Sequence, residues 1–184
     1  MDNITQGALI ALLQRLENSW MSENKSLPQQ AFDKNWRSPC EMTDEKDGMI
    51  SWKPVLRKET VTFNNIEDAL EISLHPSISN FFCHGFSDSL PCVFEDHPIE
   101  LVQVWNEDDF KMLQENMIAH FLMQKRLNQP ASMFIASCSD EMQIISVLNE
   151  TGQVQLENLG KGQEAILAES LAEFLEQLVP TVRE

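Results

Sequence analysis

Trp105–Ala136, WNEDDFKMLQENMIAHFLMQKRLNQPASMFIA, holds the strongest helical signal in this 184-residue chain and runs straight into a short apolar strand. Asn106 is placed to cap the helix. Glu107, Asp108 and Asp109 load its first turn with negative charge, where unpaired N–H groups and the positive end of the helix dipole favour it. Lys125 and Arg126 complement the far end, and Pro130 forbids continuation. Phe110, Leu113, Met117, Phe121 and Leu122 recur at spacings of three and four, which predicts one apolar stripe facing a core. At about 1.5 Å per residue the helix is roughly 30 Å long, the width of a small domain, so the rest of the chain must pack around it.

Outward from this helix the pattern is mixed. Asn3 to Trp20 reads as an amphipathic helix, with Asn3 and Gln6 in capping-box positions and Leu9, Leu12, Leu13, Leu16 and Trp20 along one stripe. A polar connection to Cys40 is anchored by Phe32 and Trp36, and Glu41 to Asp47 forms an exposed turn. Met49 to Trp52 predicts a strand ended by Pro54, and Val61 to Phe63 a second. Two short helices are expected between Asn64 and Gly85. The first is capped by Asn64 or Asn65 with Ile66, Ala69 and Leu70 inward; the second is opened by Pro76 and closed at Gly85. Pro91 to Glu95 and Ile99 to Val104 predict a hairpin turning across Asp96, His97 and Pro98. Beyond the central helix, Met133 to Ser137, Gln143 to Leu148 and Val154 to Leu156 form a meander, and Glu164 to Leu178 a last helix. Strands linked by tight turns pair antiparallel. The expected class is therefore α+β: one domain over residues 1–184, with an antiparallel meander sheet of about five to six strands covered by helices.

Composition narrows the function. No apolar run approaches the ~18 residues of a membrane span, and Asp2 stands where a secretory signal would carry basic residues, so a cytoplasmic protein is expected. Cys40, Cys83, Cys92 and Cys138 lie far apart with no CxxC pair, which suits reduced, partly buried thiols. The chain carries 13 basic and 29 acidic residues, a formal charge of −16, which argues against nucleic-acid binding. From Asp88 onward there are 17 acidic and 5 basic residues, against 12 and 8 before it. Such an excess keeps a surface solvated, and it can also form a docking face for a basic partner.

No constellation carries chemistry. Cys83, His84, Cys92 and His97 are zinc-type donors within fifteen positions, but their spacing fits no common zinc module. The GxSxG and GxxxxGK[ST] motifs are absent. Glu107, Asp108 and Asp109 point in different directions on a helix and cannot easily share one reacting atom. His120 sits beside the apolar stripe with no orienting partner evident from the sequence. No catalytic residue, cofactor or metal is assigned.

The stretch Trp105 to Leu127, followed by Pro130 and the strand MFIA from Met133, closely resembles the Syd family of SecY-interacting proteins. The resemblance extends over nearly the whole chain: SPC at Ser38 to Cys40, WKP at Trp52 to Pro54, HPSI at His75 to Ile78, IISV at Ile144 to Val147, and LAEFLEQL at Leu171 to Leu178. It implies a non-catalytic protein of the cytoplasm and the cytoplasmic face of the inner membrane. Such a protein binds basic cytoplasmic loops of the SecY channel of the SecYEG translocon, without membrane insertion, in regulation or quality control of export. It also implies kinship with the wider Smi1/Knr4-like and immunity-protein superfamily, so a toxin-neutralising role is the alternative. Loops rich in Lys and Arg suit an acidic face. Charge and position place Glu107, Asp108 and Asp109 in that face, with Glu67, Glu71 and Glu115 beside them, and a monomer is expected. Helix-start electrostatics account for the first three as well.

Overall fold

The computed structural model describes residues 4–182. In chain order it runs α1 (Ile4–Glu23), β1 (Gln29–Ala31), β2 (Met49–Ser51), β3 (Val55–Leu56), α2 (Asn64–Leu70), α3 (Pro76–Phe82), β4 (Gly85–Phe86), β5 (Leu90–Phe94), β6 (His97–Leu101), α4 (Glu107–Arg126), β7 (Ser132–Cys138), β8 (Gln143–Leu148), β9 (Val154–Asn158), β10 (Gly162–Ala168), α5 (Leu171–Gln177) and β11 (Val179–Pro180). Tight turns force successive strands to pair antiparallel. They build one seven-stranded sheet in the order β10-β9-β8-β7-β6-β5-β11, with β1-β2 and β3-β4 as separate two-stranded pairs. The architecture is α+β, its main sheet slightly wider than the five to six strands expected.

The two faces of the sheet differ in chemistry. Cross-strand register puts Leu90, Cys92, Leu101, Ala136, Ile145 and Val147 on one face, all buried. On this side α5 packs through Phe174 against Phe94, ring centroids 5.0 Å apart. Arg15 of α1 donates to the carbonyls of Leu175 (2.9 Å) and Leu178 (2.7 Å), answering acceptors that the end of α5 leaves open. The opposite face carries Ser132, Phe134, Ser146, Gln155 and Glu157. Here α4 crosses the sheet, with the His120 ring 5.5 Å from that of Phe134.

Several sequence expectations give way to tertiary packing. The span Glu164 to Leu178 is not one helix: residues 162–168 form β10 and only Leu171–Gln177 is helical. Pairing with β9, with register shifts at two points, outweighs the helix preference of the Gln, Glu, Ala and Leu residues there. Ser170 marks the true start of α5, its Oγ accepting from the Glu173 N–H at 3.2 Å while the Glu173 carboxylate accepts from the Glu169 N–H at 3.1 Å. Val61–Phe63 is not a strand. Phe63 turns into the core and stacks on Phe110 at 5.4 Å. Neither Asn64 nor Asn65 caps α2, and Asn65 instead donates to Gln114 Oε1 at 2.7 Å. Ile66 is buried as expected, whereas Ala69 is exposed.

Gly85 belongs to β4 and does not close α3. A Cβ there would lie 2.6 Å from the Val55 carbonyl oxygen, so the close approach of β3 excludes a side chain. His97 and Pro98 begin β6, because Glu95 and Asp96, at φ 45° and 68°, complete the hairpin turn alone. In α4 the stripe Phe110, Leu113, Met117 and Phe121 is buried, but Leu122 is exposed and the inner face continues through His120 and Gln124. Asn3, assigned to cap α1, lies outside the described residues.

Candidate docking face

The start of α4 is held on every side. Asn106 Oδ1 accepts the Asp109 N–H at 2.8 Å, and Asp109 Oδ2 accepts the Trp105 N–H at 2.7 Å. Asn106 Nδ2 donates to the Arg37 carbonyl at 3.0 Å, Trp105 Nε1 to that of Trp36 at 3.1 Å, and Ser38 Oγ to that of Trp105. Trp105 meets Trp52 edge to face at 5.8 Å. The distant SPC and WKP segments are thereby fastened to the entry of α4.

The six predicted carboxylates then divide by what they touch. Glu107 accepts from Arg57 Nη1, whose guanidinium lies between the rings of Phe86 and Phe110. Asp109 is occupied by the Trp105 N–H, and Glu67 Oε1 accepts the Leu74 N–H at 2.7 Å. Asp108 pairs with Lys111 at 2.8 Å, both well exposed, and that hydrogen bond together with the Asp108 charge raises the Lys111 pKa. Glu71, which ends α2 at φ 55°, and Glu115 are exposed and have no side-chain partner among the described residues.

Position along the chain separates α2 and α4, but packing brings them together. Phe63 meets Phe110, Asn65 meets Gln114, and Leu70 and Ile72 approach Phe121 and Leu122, so α2 runs beside α4 in the same direction. Between their C-terminal halves lies a groove of about 410 Å³, with Leu70, Ile72, Phe121 and Leu122 as apolar lining, Glu71 at one lip and Lys125 at the other. The sequence gives no sign of this groove, because it depends on Leu122 facing out of the core.

Beneath α4 is a polar cluster that the sequence also hides. Glu157, 2% exposed, accepts from Ser132 Oγ (2.6 Å), Ser146 Oγ (2.8 Å), Gln155 Nε2 (3.2 Å) and Gln124 Nε2 (3.3 Å). His120 is buried beside it, and burial lowers the imidazole pKa against the opposing pull of the Glu157 charge. Burial also pushes the Cys40 thiol up to about 11 and those of Cys83 and Cys92 up to about 12, so these three free thiols are protonated at neutral pH. Cys83, His84, Cys92 and His97 do not converge, and among the described residues no group of three His, Cys, Asp or Glu side chains is arranged to hold a metal. No helix of the described residues is long and apolar enough to cross a membrane.

A family profile described as Syd protein (SUKH-2) matches residues 6–180. The chain belongs to the Syd family. It is 58% identical over 184 residues to Protein Syd of Psychromonas ingrahamii, covering both chains completely. It is 42% identical over 154 residues to Protein Syd of Aeromonas hydrophila, covering 84% of this chain and 85% of that one. With Protein Syd of Alteromonas mediterranea it shares 44% over 151 residues, 82% of this chain and 83% of the relative. In this Syd-family chain the SPC and WKP segments brace the entry of α4. The HPSI segment caps α3, His75 Nδ1 accepting the Ser77 N–H at 3.3 Å.

Proposed function

We propose that this Syd-family protein binds basic cytoplasmic loops of the SecY channel through the outer side of α2 and α4, and so regulates or quality-controls export without a chemical step. It acts as a monomer that visits the cytoplasmic face of the inner membrane peripherally. The observation that carries this reading is the lateral packing of α2 on α4. That packing puts Glu71 at an apolar groove and Glu115 on the neighbouring helix, two exposed carboxylates without side-chain partners among the described residues. Cytoplasmic loops of membrane proteins are enriched in Lys and Arg, and an acidic face both attracts them and rejects acidic competitors. The groove supplies apolar contact that charge alone does not. Glu107, Asp109 and Glu67 contribute to the field while holding local structure.

Co-sedimentation with inner-membrane vesicles tests the reading. Binding is expected to vesicles containing the SecY complex, to be lost when they are depleted of it, and to weaken as added salt shortens the Debye length below its physiological ~8 Å. Equal binding to depleted vesicles contradicts it. Recovery of a secreted toxin from lysate, with no channel, assigns the immunity-type role instead.

A further inference from the structure

Arg57 carries a charge that its surroundings only partly answer. The side chain is 3% exposed, with its guanidinium carbon 4.0 Å from the Phe86 ring centroid and 4.5 Å from that of Phe110. Nη1 donates to Glu107, but Nε and Nη2 are buried and have no acceptor among the described residues. These two nitrogens share an edge of the guanidinium, along which Nε–H and one Nη2–H point in parallel. That edge is the fork that grips two oxygens of one carboxylate or phosphate. Aromatic faces offset the charge but accept nothing in the plane of the fork.

A second orphan lies next to the first. His84 Nε2 is buried without a partner among the described residues, and the Arg57 N–H donates to the His84 carbonyl at 2.9 Å. A cleft of about 600 Å³ borders both residues together with Lys58, Thr60 and Ser79. Its charged lining is two cations, Arg57 and Lys58, against the single carboxylate of Glu59, an inversion of the balance in a chain of net charge −16. The cleft shares no lining residue with the α2–α4 groove.

We propose that this cleft binds a small oxyanion, a carboxylate or a phosphate group, side-on to Arg57, with Lys58 and His84 Nε2 completing its hydrogen bonds. Because the fork is shielded from water, the anion reaches it as the exposed side chains of Lys58, Glu59 and Thr60 swing aside. The side chains of Leu56, Lys58, Glu59 and Thr60 are already exposed. This site is separate from the α2–α4 groove and meets the acidic face only through the Arg57–Glu107 pair.

The test is proton–nitrogen correlation spectroscopy of arginine Nε–H groups in the full chain, the Arg57 signal being identified by its loss in Arg57→Lys. Sodium phosphate and, separately, sodium acetate are added at constant ionic strength. At least one is expected to shift the Arg57 signal saturably, and which one does so identifies the acceptor; sodium chloride is expected to leave it in place. Lys58→Ala, an exposed position, should weaken the titration roughly tenfold through loss of one charge-assisted hydrogen bond. No shift with either oxyanion, an equal shift with chloride, or an unchanged midpoint in Lys58→Ala overturns the proposal.

Discussion

Arg57 donates through Nη1 to Glu107 from between two phenyl rings, so the first carboxylate of α4 holds a buried cation as well as a helix start. The guanidinium is desolvated while the carboxylate is 62% exposed, which places the pair between the surface and buried limits of ion-pair energetics. Glu107→Gln is accordingly expected to cost about 1–2 kcal/mol in urea unfolding. Asp108→Asn, at a doubly exposed pair, should stay within about 0.5 kcal/mol. Equal effects at the two positions would show that Arg57 does not depend on Glu107.

Glu157 gathers four donors under α4 with no Lys or Arg among them. Gln keeps the shape and one acceptor oxygen, so Glu157→Gln should change stability by less than about 1.5 kcal/mol. Glu157→Ala strands buried hydroxyl and amide donors and should cost about 2–4 kcal/mol. Calorimetric unfolding of the two variants checks the ordering, and a milder effect of Ala than of Gln would refute the network as a stabilising unit.

Burial lowers the pKa of both His84 and His120 in the folded chain. The unfolded chain then binds protons first as pH falls below about 6.5, so the stability tied to neutral imidazoles is full above that pH and is lost as pH falls through the folded values. His120→Gln should therefore flatten the stability profile below about pH 6.5 relative to the wild type. Carboxylates remote from His120 contribute equally to both proteins and drop out of the difference. Parallel profiles would mean that His120 is not desolvated in solution.

Gly152 turns the chain between β8 and β9 at φ 77°, and a Cβ there would lie 2.3 Å from His75 Cε1. The His75 ring cannot easily retreat, because Nδ1 caps α3 and the His75 N–H donates to Asn149 Oδ1 at 2.9 Å. Gly152→Ala should cost about 2–3 kcal/mol from left-handed strain and collision together. In a His75→Ala background the same change should cost measurably less, and strict additivity in this double-mutant cycle would dismiss the contact.

How far the fold could be read from the sequence follows from where the deciding forces act. The cap at Asn106, the acidic first turn and the stop before Pro130 are local, and α4 spans Glu107–Arg126 as they indicate. The hairpins and the meander follow from short-range turn chemistry and are likewise present. What escaped depends on distant chain. β10 reads as helix until β9 offers it a ladder, and the S-x-x-E box at Ser170 was the signal that could have divided that span. Gln155 and Glu157 look like the solvent side of an alternating strand, and only the passage of α4 over them makes them buried. For the candidate site, residue type and neighbourhood on α2 and α4 were legible, but which carboxylates are already held was not. Asp109 answers a backbone N–H one turn away, Glu67 another across a loop, and Glu107 an arginine fifty residues earlier. Reversing the charge of Asp109 would therefore report on folding as much as on binding.

The central claim is that the partner-free acids Glu71, at the α2–α4 groove, and Glu115, on α4, recruit a basic channel loop. The most direct measurement compares wild type with the combined Glu71→Lys and Glu115→Lys variant in binding to SecY-containing vesicles at low salt, with urea unfolding run on both. Affinity is predicted to fall by roughly tenfold or more while the unfolding midpoint stays the same. Unchanged affinity in a folded variant contradicts the account.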